Sequence, residues 1–179
     1  DLRYAINLYN QHRANSNYPP INMGIGIHFG PVIIGTVGSD DRMDTTVIGD
    51  SVNIAFRLEA LAPKYNTDIV ISAQTLRQAK AEGVFEYRLL DWVRVKGRKN
   101  PIELYEIIDH QESNIKQLKL ANAKLIEQGL NYRKDQKWEL AVTHFKQALE
   151  INPEDTLAIH HLEQCAKLQE VHLAEDWDG

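Results

Sequence analysis

The spacing of apolar residues changes several times along the first 109 positions. Residues 2–9 carry apolar side chains at helical spacing, which predicts a helix over 1–14. Residues 23–29 alternate apolar side chains with glycine and His28, the two-residue period of a strand. Further strands are predicted over 32–37, 45–48, 68–71, 85–95 and 102–108, and further helices after Gly49 and over 72–81, with Ser72 as the cap. This alternation predicts an α+β or α/β sandwich.

Two residue types on the strand over 23–29 have more than one interpretation. Its glycines leave room for another backbone or for a ligand to come close. His28 is either a catalytic base or a structural residue with its hydrogen bonds made inside the fold, and the structural role is the commoner one for a lone strand histidine. The adjacent Asp40 and Asp41 lie in a polar loop and are not assigned to a metal ion.

After Asp109 the strand pattern ends and only helical spacing remains. One set of residues follows the spacing of a tetratricopeptide repeat, a 34-residue helix–turn–helix unit. The set is Gly129, Tyr132, Ala141, Phe145, Ala148 and Pro153. The predicted division is a domain over 1–109, a linker helix over 110–121, the repeat over 122–155, a capping helix over 156–172 and a tail over 173–179. Asp155 or Thr156 is the predicted N-cap of the helix over 156–172. Repeats of this kind usually bind protein segments in a groove, so an unidentified protein partner or self-association is expected.

The stretch over 43–59, MDTTVIGDSVNIAFRLE, combines a short β-branched run, a glycine and a helix. Asp50 or Ser51 is the predicted cap, and an apolar stripe is predicted from Val52, Ala55 and Leu58. Asn53 and Arg57 are four positions apart and therefore share another face of the helix. An amide can orient a sugar oxygen and a guanidinium can bind phosphate with two hydrogen bonds, so this face fits a phosphorylated nucleoside. The alternative is an ordinary polar surface.

Composition narrows the class of protein. The chain has 179 residues, 43% of them apolar and 25% charged, which is ordinary for a soluble globular protein. A formal charge of −5 predicts no nucleic-acid polymer as partner, and there is no apolar run long enough to span a membrane. Cys165 is the only cysteine, so no internal disulfide is expected. We expect a cytoplasmic protein.

Several motifs together carry a family resemblance. Residues 24–61 read GIGIHFGPVIIGTVGSDDRMDTTVIGDSVNIAFRLEAL, and Val95-Lys96-Gly97-Arg98 and Pro101-Ile102-Glu103-Leu104-Tyr105-Glu106 follow. This order resembles the second half of the catalytic domain of class III nucleotide cyclases, over about residues 1–109. The resemblance implies an α+β fold, a ferredoxin-like sandwich that contains a βαβ unit, here followed by an all-α tetratricopeptide hairpin.

The resemblance also implies an activity and residue roles. The expected function is that of an adenylate cyclase, which converts ATP to 3′,5′-cyclic AMP and pyrophosphate. By position in the family, Asn53 orients the ribose and Arg57 stabilises charge on the reacting phosphate. Thr46 falls where the family selects the purine and favours ATP over GTP, and Lys96 is a candidate ligand of the triphosphate.

The family's metal-binding motifs, Phe-x-Asp-Ile and Lys-x-Ile-Gly-Asp, do not occur in this sequence. The resemblance implies two Mg²⁺ or Mn²⁺ ions whose ligands lie in the first half of the domain, outside this chain. It also implies a homodimer, because family sites form across two subunits. We therefore expect the isolated fragment to be inactive. Two alternatives stay open: a guanylate cyclase, and a cyclase-like module that only binds or dimerises.

Overall fold

The computed structural model describes residues 2–39, 42–79, 83–94, 101–171 and 177. In these residues the chain forms six strands and six helices. The strands are β1 Ile25–Ile27, β2 Ile33–Ser39, β3 Arg42–Ile48, β4 Ile69–Ser72, β5 Tyr87–Val93 and β6 Ile102–Ile107. The helices are α1 Leu2–Asn15, α2 Asp50–Leu61, α3 Ala73–Gln78, α4 Ser113–Lys134, α5 Trp138–Ile151 and α6 Thr156–Gln169.

Four of the strands form one mixed sheet in the order β1-β4-β6-β5. β1 and β4 are parallel, with Ile25 opposite Ile69, and the other two pairings are antiparallel. Because two parallel strands need a crossover connection, the chain leaves β1, passes through α2 and returns as β4. This is a βαβ unit, and the α+β fold predicted from the sequence is confirmed.

The remaining two strands, β2 and β3, form a separate antiparallel hairpin. Ile33 pairs with Ile48 and Gly35 with Thr46. Ile33 and Ile34 are neighbours along β2, so their side chains point to opposite faces, yet they are 71% and 69% exposed. Both faces of the hairpin therefore face away from the core.

The C-terminal helices pack against one another and against the sheet. Gly129 of α4 lies so close to Phe145 of α5 that a β-carbon on Gly129 would come within 2.6 Å of the ring. Gly129 and Phe145, two members of the predicted repeat, thus meet where α4 crosses α5, and Phe145 is fully buried. One apolar core runs from α2 and the sheet into the three helices, with members such as Leu58, Leu104 and Leu157.

The predicted boundaries need small adjustments. α4 runs from Ser113 to Lys134 without a break, so one helix contains residues of both the predicted linker helix over 110–121 and the predicted repeat over 122–155. Asp155 caps α6 by accepting from the backbone N–H groups of Leu157 and Ala158, and Ser72 caps α3, as expected. Among the described residues, no strand follows Ile107.

Candidate functional site on the outer face of helix α2

Glycine packing fixes α2 directly on β1. A β-carbon on Gly26 would lie 2.3 Å from the backbone N of Glu59 and 2.4 Å from the carbonyl oxygen of Ala55. No side chain fits in that space, so the helix backbone rests on the strand backbone. The close approach predicted for the strand glycines is therefore made by the chain itself at Gly26.

The start of α2 differs from the prediction. The residue that precedes the first helical turn is Gly49, at φ 157° and ψ 163°, and no side chain caps the helix. Asp50 is the first helical residue and Ser51 is buried, so neither is the cap that the sequence predicts. Ser51 instead packs against Gly30, where a β-carbon would meet its Oγ at 2.2 Å. Asp50 places a negative charge in the first turn, where the helix dipole favours it.

The buried and exposed faces of α2 are clearly separated. Ser51, Ile54 and Leu58 are buried, whereas the predicted stripe members Val52 and Ala55 are only half-buried. The inward face is thus rotated by about one residue from the predicted stripe, because the small residue Ser51 occupies the place next to Gly30.

Asn53 and Arg57 lie on the opposite, exposed face, as their spacing predicts. They are one helical turn apart, about 6 Å along the axis. Phe56 lies beside them and is 69% exposed. Within the described part of the chain, no hydrogen bond or ion pair engages the Asn53 amide or the Arg57 guanidinium. The two polar groups are therefore available to a ligand or to a second molecule.

Thr46 lies on the hairpin, opposite Gly35, four residues before α2 begins. It is half-buried, and in the described residues no hydrogen bond joins it to Asn53 or Arg57. The fold therefore brings together Asn53 and Arg57, while Thr46 stands on the neighbouring element. Lys96, the candidate ligand of the triphosphate, lies outside the described residues.

His28 has a structural environment. Its Nδ1 is 2.8 Å from the Oγ of Ser72, the residue that caps α3. The hydroxyl of Thr75 lies 3.0 Å from the same Oγ and donates to the carbonyl of Ile27. These contacts tie the end of β1 to α3, which matches the structural interpretation of this histidine.

The described residues do not fit the metal pair that the resemblance implies. In the ranges covered by the structure, no three histidine, cysteine, aspartate or glutamate side chains are grouped closely enough to hold a metal ion. In the same ranges, none of the helices is both long and apolar enough to cross a lipid bilayer.

The family of the chain follows from its similarity to known proteins. Residues 2–109 match the family model described as the adenylate and guanylate cyclase catalytic domain. This match covers more than half of the chain, which therefore belongs to the adenylate and guanylate cyclase catalytic domain family.

Individual relatives carry narrower names. An adenylate cyclase of Anabaena cylindrica is 40% identical over 111 residues, which are 59% of this chain and 22% of that protein. The terminal-differentiation-specific adenylate cyclase of Dictyostelium discoideum is 32% identical over 164 residues, which are 87% of this chain and 8% of that protein. The crystal structure of the adenylyl cyclase CyaB from P. aeruginosa is 31% identical, with a TM-score of 0.49, and covers 62% of this chain and 54% of that chain.

These numbers have two consequences. The chain spans less than a quarter of the length of the Anabaena and Dictyostelium relatives. The Dictyostelium match is too long to fit within residues 1–109, so it extends into the helical segment. The cyclase part and at least part of the helical segment thus occur together in that relative.

Proposed function

We propose that this chain is the part of an adenylate cyclase that orients the ribose and stabilises the transition state. The complete enzyme converts ATP to 3′,5′-cyclic AMP and pyrophosphate. The observation that carries the proposal is the exposed pair of Asn53 and Arg57 on α2, a helix that Gly26 seats firmly on the sheet. The adenylate cyclases among the relatives support ATP as the substrate, and Thr46 is the residue we assign to purine selection.

The reaction joins the ribose 3′-oxygen to the α-phosphorus and breaks the bond from that phosphorus to the β-phosphate oxygen. The 3′-hydroxyl loses its proton and pyrophosphate leaves. Arg57 is suited to donate to the α-phosphate oxygens as their charge increases, because a guanidinium presents several donors in a fixed plane. Asn53 is suited to hold the sugar so that attack occurs in line with the leaving group.

Exposure of the pair supports a site shared between two subunits. In one subunit the two side chains face away from the core, and no group of three side chains that could hold a metal ion occurs in the described residues. The hairpin that precedes α2 in the chain exposes large apolar side chains, which include Ile33, Ile34 and Met43. Apolar patches of this kind mark protein–protein contacts. A homodimer that covers the hairpin and brings a partner's residues to Asn53 and Arg57 accounts for both features.

Subunit mixing tests this proposal. In a protein that carries the whole catalytic domain, one variant is Arg57→Ala, and the other replaces the metal-binding aspartates expected in the first half of the domain by Ala. Each is expected to be inactive alone. A mixture of the two should regain about a quarter of the wild-type activity, because half of the dimers are mixed and each has one intact site. A mixture that stays inactive while both variants dimerise contradicts the shared site.

A further inference from the structure

The end of α2 is connected to the C-terminal helices through Tyr65. The helix ends at Leu61, and the next turn is closed by a hydrogen bond from the Tyr65 N–H to the Leu61 carbonyl. The Tyr65 side chain is 2% exposed, and its hydroxyl donates to Asp91 Oδ2 of β5 at 2.8 Å. The last turn of the helix that carries Asn53 and Arg57 is thus tied to the sheet.

Asp91 in turn binds the helical segment. Its Oδ1 accepts from the backbone N–H of Trp92 at 2.8 Å and from the guanidinium of Arg133 on α4. Arg133 Nη1 also donates to Nδ1 of His161 on α6 at 3.0 Å, and His161 Nε2 donates to the carbonyl of Leu90 at 2.8 Å. These four side chains, from Tyr65 to His161, form a buried relay.

The protonation states of the relay are well defined. Burial, and then the charge of Asp91, raise the pKa of Tyr65 far above its ordinary value, so its hydroxyl remains a donor. Burial alone would raise the pKa of Asp91, but the charge of Arg133 holds it below its usual value. Burial lowers the pKa of His161 to about 3, so its ring is neutral. One anion therefore faces one cation, and the buried charges balance.

A buried ion pair contributes little net stability compared with well-packed apolar residues of the same volume, because both ions lose their hydration. What it imposes is geometry: an unpaired buried charge is costly, so alternative positions of the elements that carry it are disfavoured. Here those elements are β5, α4 and the turn that follows α2.

We propose that Tyr65, Asp91 and Arg133 are positioning residues that hold the end of α2 against the helical segment and so set the orientation of Asn53 and Arg57. The helical segment then contributes to the geometry of the nucleotide site, because it holds α2 in place. The face that α4 and α6 turn towards β5 is filled by the chain's own sheet. This inference rests on the proposed function in one respect only, that Asn53 and Arg57 act on the nucleotide.

Removing a single hydroxyl tests the relay without removing a charge. Tyr65→Phe keeps the ring and deletes the bond to Asp91. Tyr105→Phe is the matched control, because the Tyr105 hydroxyl also donates to a carboxylate, Glu103 at 3.1 Å, but within its own strand β6. In the chain of residues 1–179, hydrogen exchange of the α2 amides should be about tenfold faster in Tyr65→Phe than in the wild type, because one buried hydrogen bond is lost. The exchange rates of the same amides should be unchanged in Tyr105→Phe.

A kinetic readout separates positioning from general structural support. In a protein with the whole catalytic domain, Tyr65→Phe should lower kcat about 3- to 10-fold with KM for ATP unchanged within about twofold, because a misaligned Arg57 weakens mainly the transition state. Arg133→Lys, which keeps the charge, should retain more activity than Arg133→Met.

Equal exchange of the α2 amides in the wild type and Tyr65→Phe would overturn the proposal, and so would faster exchange with unchanged kcat. If the wild-type domain makes no cyclic nucleotide at all, the proposed function fails, whereas the exchange experiment still decides whether Tyr65 holds α2.

Discussion

The β2–β3 hairpin and the junction between the sheet and the C-terminal helices distribute apolar and charged residues in opposite ways. The hairpin exposes apolar side chains on both faces, Ile33 and Ile34 among them. The junction buries charges: Arg88 of β5 binds Glu106 of β6 and, through two hydrogen bonds, Asp155 at the start of α6. The hairpin thus exposes apolar residues to solvent, whereas the junction buries charged ones.

The junction charges form a complete network. Lys119 of α4 donates to Glu106 Oε2 at 2.9 Å, so two cations face two anions. Asn122 of α4 donates to Asp155 as well, and Thr67 donates to Glu106. Because each of these ions has a buried partner, the helices have one favoured position on the sheet.

The two regions differ in how their position is fixed: buried ion pairs fix the junction, whereas the hairpin leaves apolar surface uncovered. A fully paired buried network fixes the relation of two elements, whereas a large exposed apolar surface gains stability only when something covers it. Helix α2 follows the hairpin along the chain and precedes the strands and helices of the junction. Its inner face rests on Gly26, its end is held through Tyr65, and Asn53 and Arg57 are exposed on its outer face.

The largest expected effect on stability follows from breaking the junction network. Arg88→Met leaves Glu106 and Asp155 buried with too few cations, and we expect a loss of about 3–5 kcal/mol in the free energy of unfolding, measured with urea. Lys137→Met is the control, because the Lys137–Asp135 pair is more than half exposed and should change stability by less than about 0.5 kcal/mol. Similar losses in the two variants would contradict a buried, cooperative network.

A pH dependence is expected from His161, which Asp91, Arg133 and His160 surround. Its pKa is about 3 in the fold and about 6.5 when unfolded, so the unfolded chain binds more protons between these values. The contribution of His161 to the free energy of unfolding should therefore be fully present above about pH 6.5 and should decrease as the pH falls below that value. His161→Gln keeps a hydrogen-bond donor and an acceptor but cannot titrate. Between pH 6 and pH 4.5 the free energy of unfolding of this variant should therefore decrease by up to about 2 kcal/mol less than that of the wild type. Parallel stability–pH curves for the two proteins would contradict a buried neutral ring.

Two glycine substitutions compare the regions directly. Gly129→Leu forces side-chain atoms against the Phe145 ring and should lower the free energy of unfolding by about 1–3 kcal/mol. Gly35→Leu, on the hairpin, meets nothing within 4 Å of the new β-carbon and should change the free energy of unfolding by less than about 0.5 kcal/mol. Thermal or urea unfolding gives both values. A Gly129→Leu protein that melts like the wild type would show that the α4–α5 crossing is not tight.

The smallest effect on folding is expected on the hairpin itself. Ile33→Ser and Ile34→Ser remove apolar surface that the single chain leaves exposed, so each should change the unfolding free energy by less than about 0.5 kcal/mol. Self-association of a complete cyclase domain, measured by sedimentation, should weaken in at least one of them, because their side chains point to opposite faces. Strong self-association in both variants would remove the hairpin from the proposed interface.

Much of the fold could be predicted because local rules and tertiary packing agree. The alternation over 23–29 and the caps at Ser72 and Asp155 are local signals, and each has its counterpart in the structure. The spacing of Asn53 and Arg57 placed them on one face of a helix, and the structure shows that face exposed. Their roles on the nucleotide come from the family resemblance and stay a proposal.

Other features could not be read from spacing, because they depend on partners far away in the sequence. The inner face of α2 contains Ser51 because Gly30 leaves room only for a small side chain. Arg88 and Asp155 are 67 positions apart, and Asp91 and Arg133 are 42 apart. The local pattern of apolar and polar residues assigns a polar residue of a strand or helix to the surface. Its burial depends on a partner that only the tertiary fold brings close, so these buried networks could not be predicted from the local pattern.

The most direct test of the account is the kinetic effect of Arg57→Ala in a protein that carries the whole catalytic domain. If the exposed guanidinium on α2 acts on charge that develops in the transition state, kcat for cyclic AMP formation should fall by roughly 10²–10³, while KM for ATP should change by less than about threefold. Arg77→Ala on α3, a helix outside the proposed site, is the control and should leave both constants unchanged. An unchanged kcat, or a large rise in KM with kcat intact, would contradict the role of Arg57.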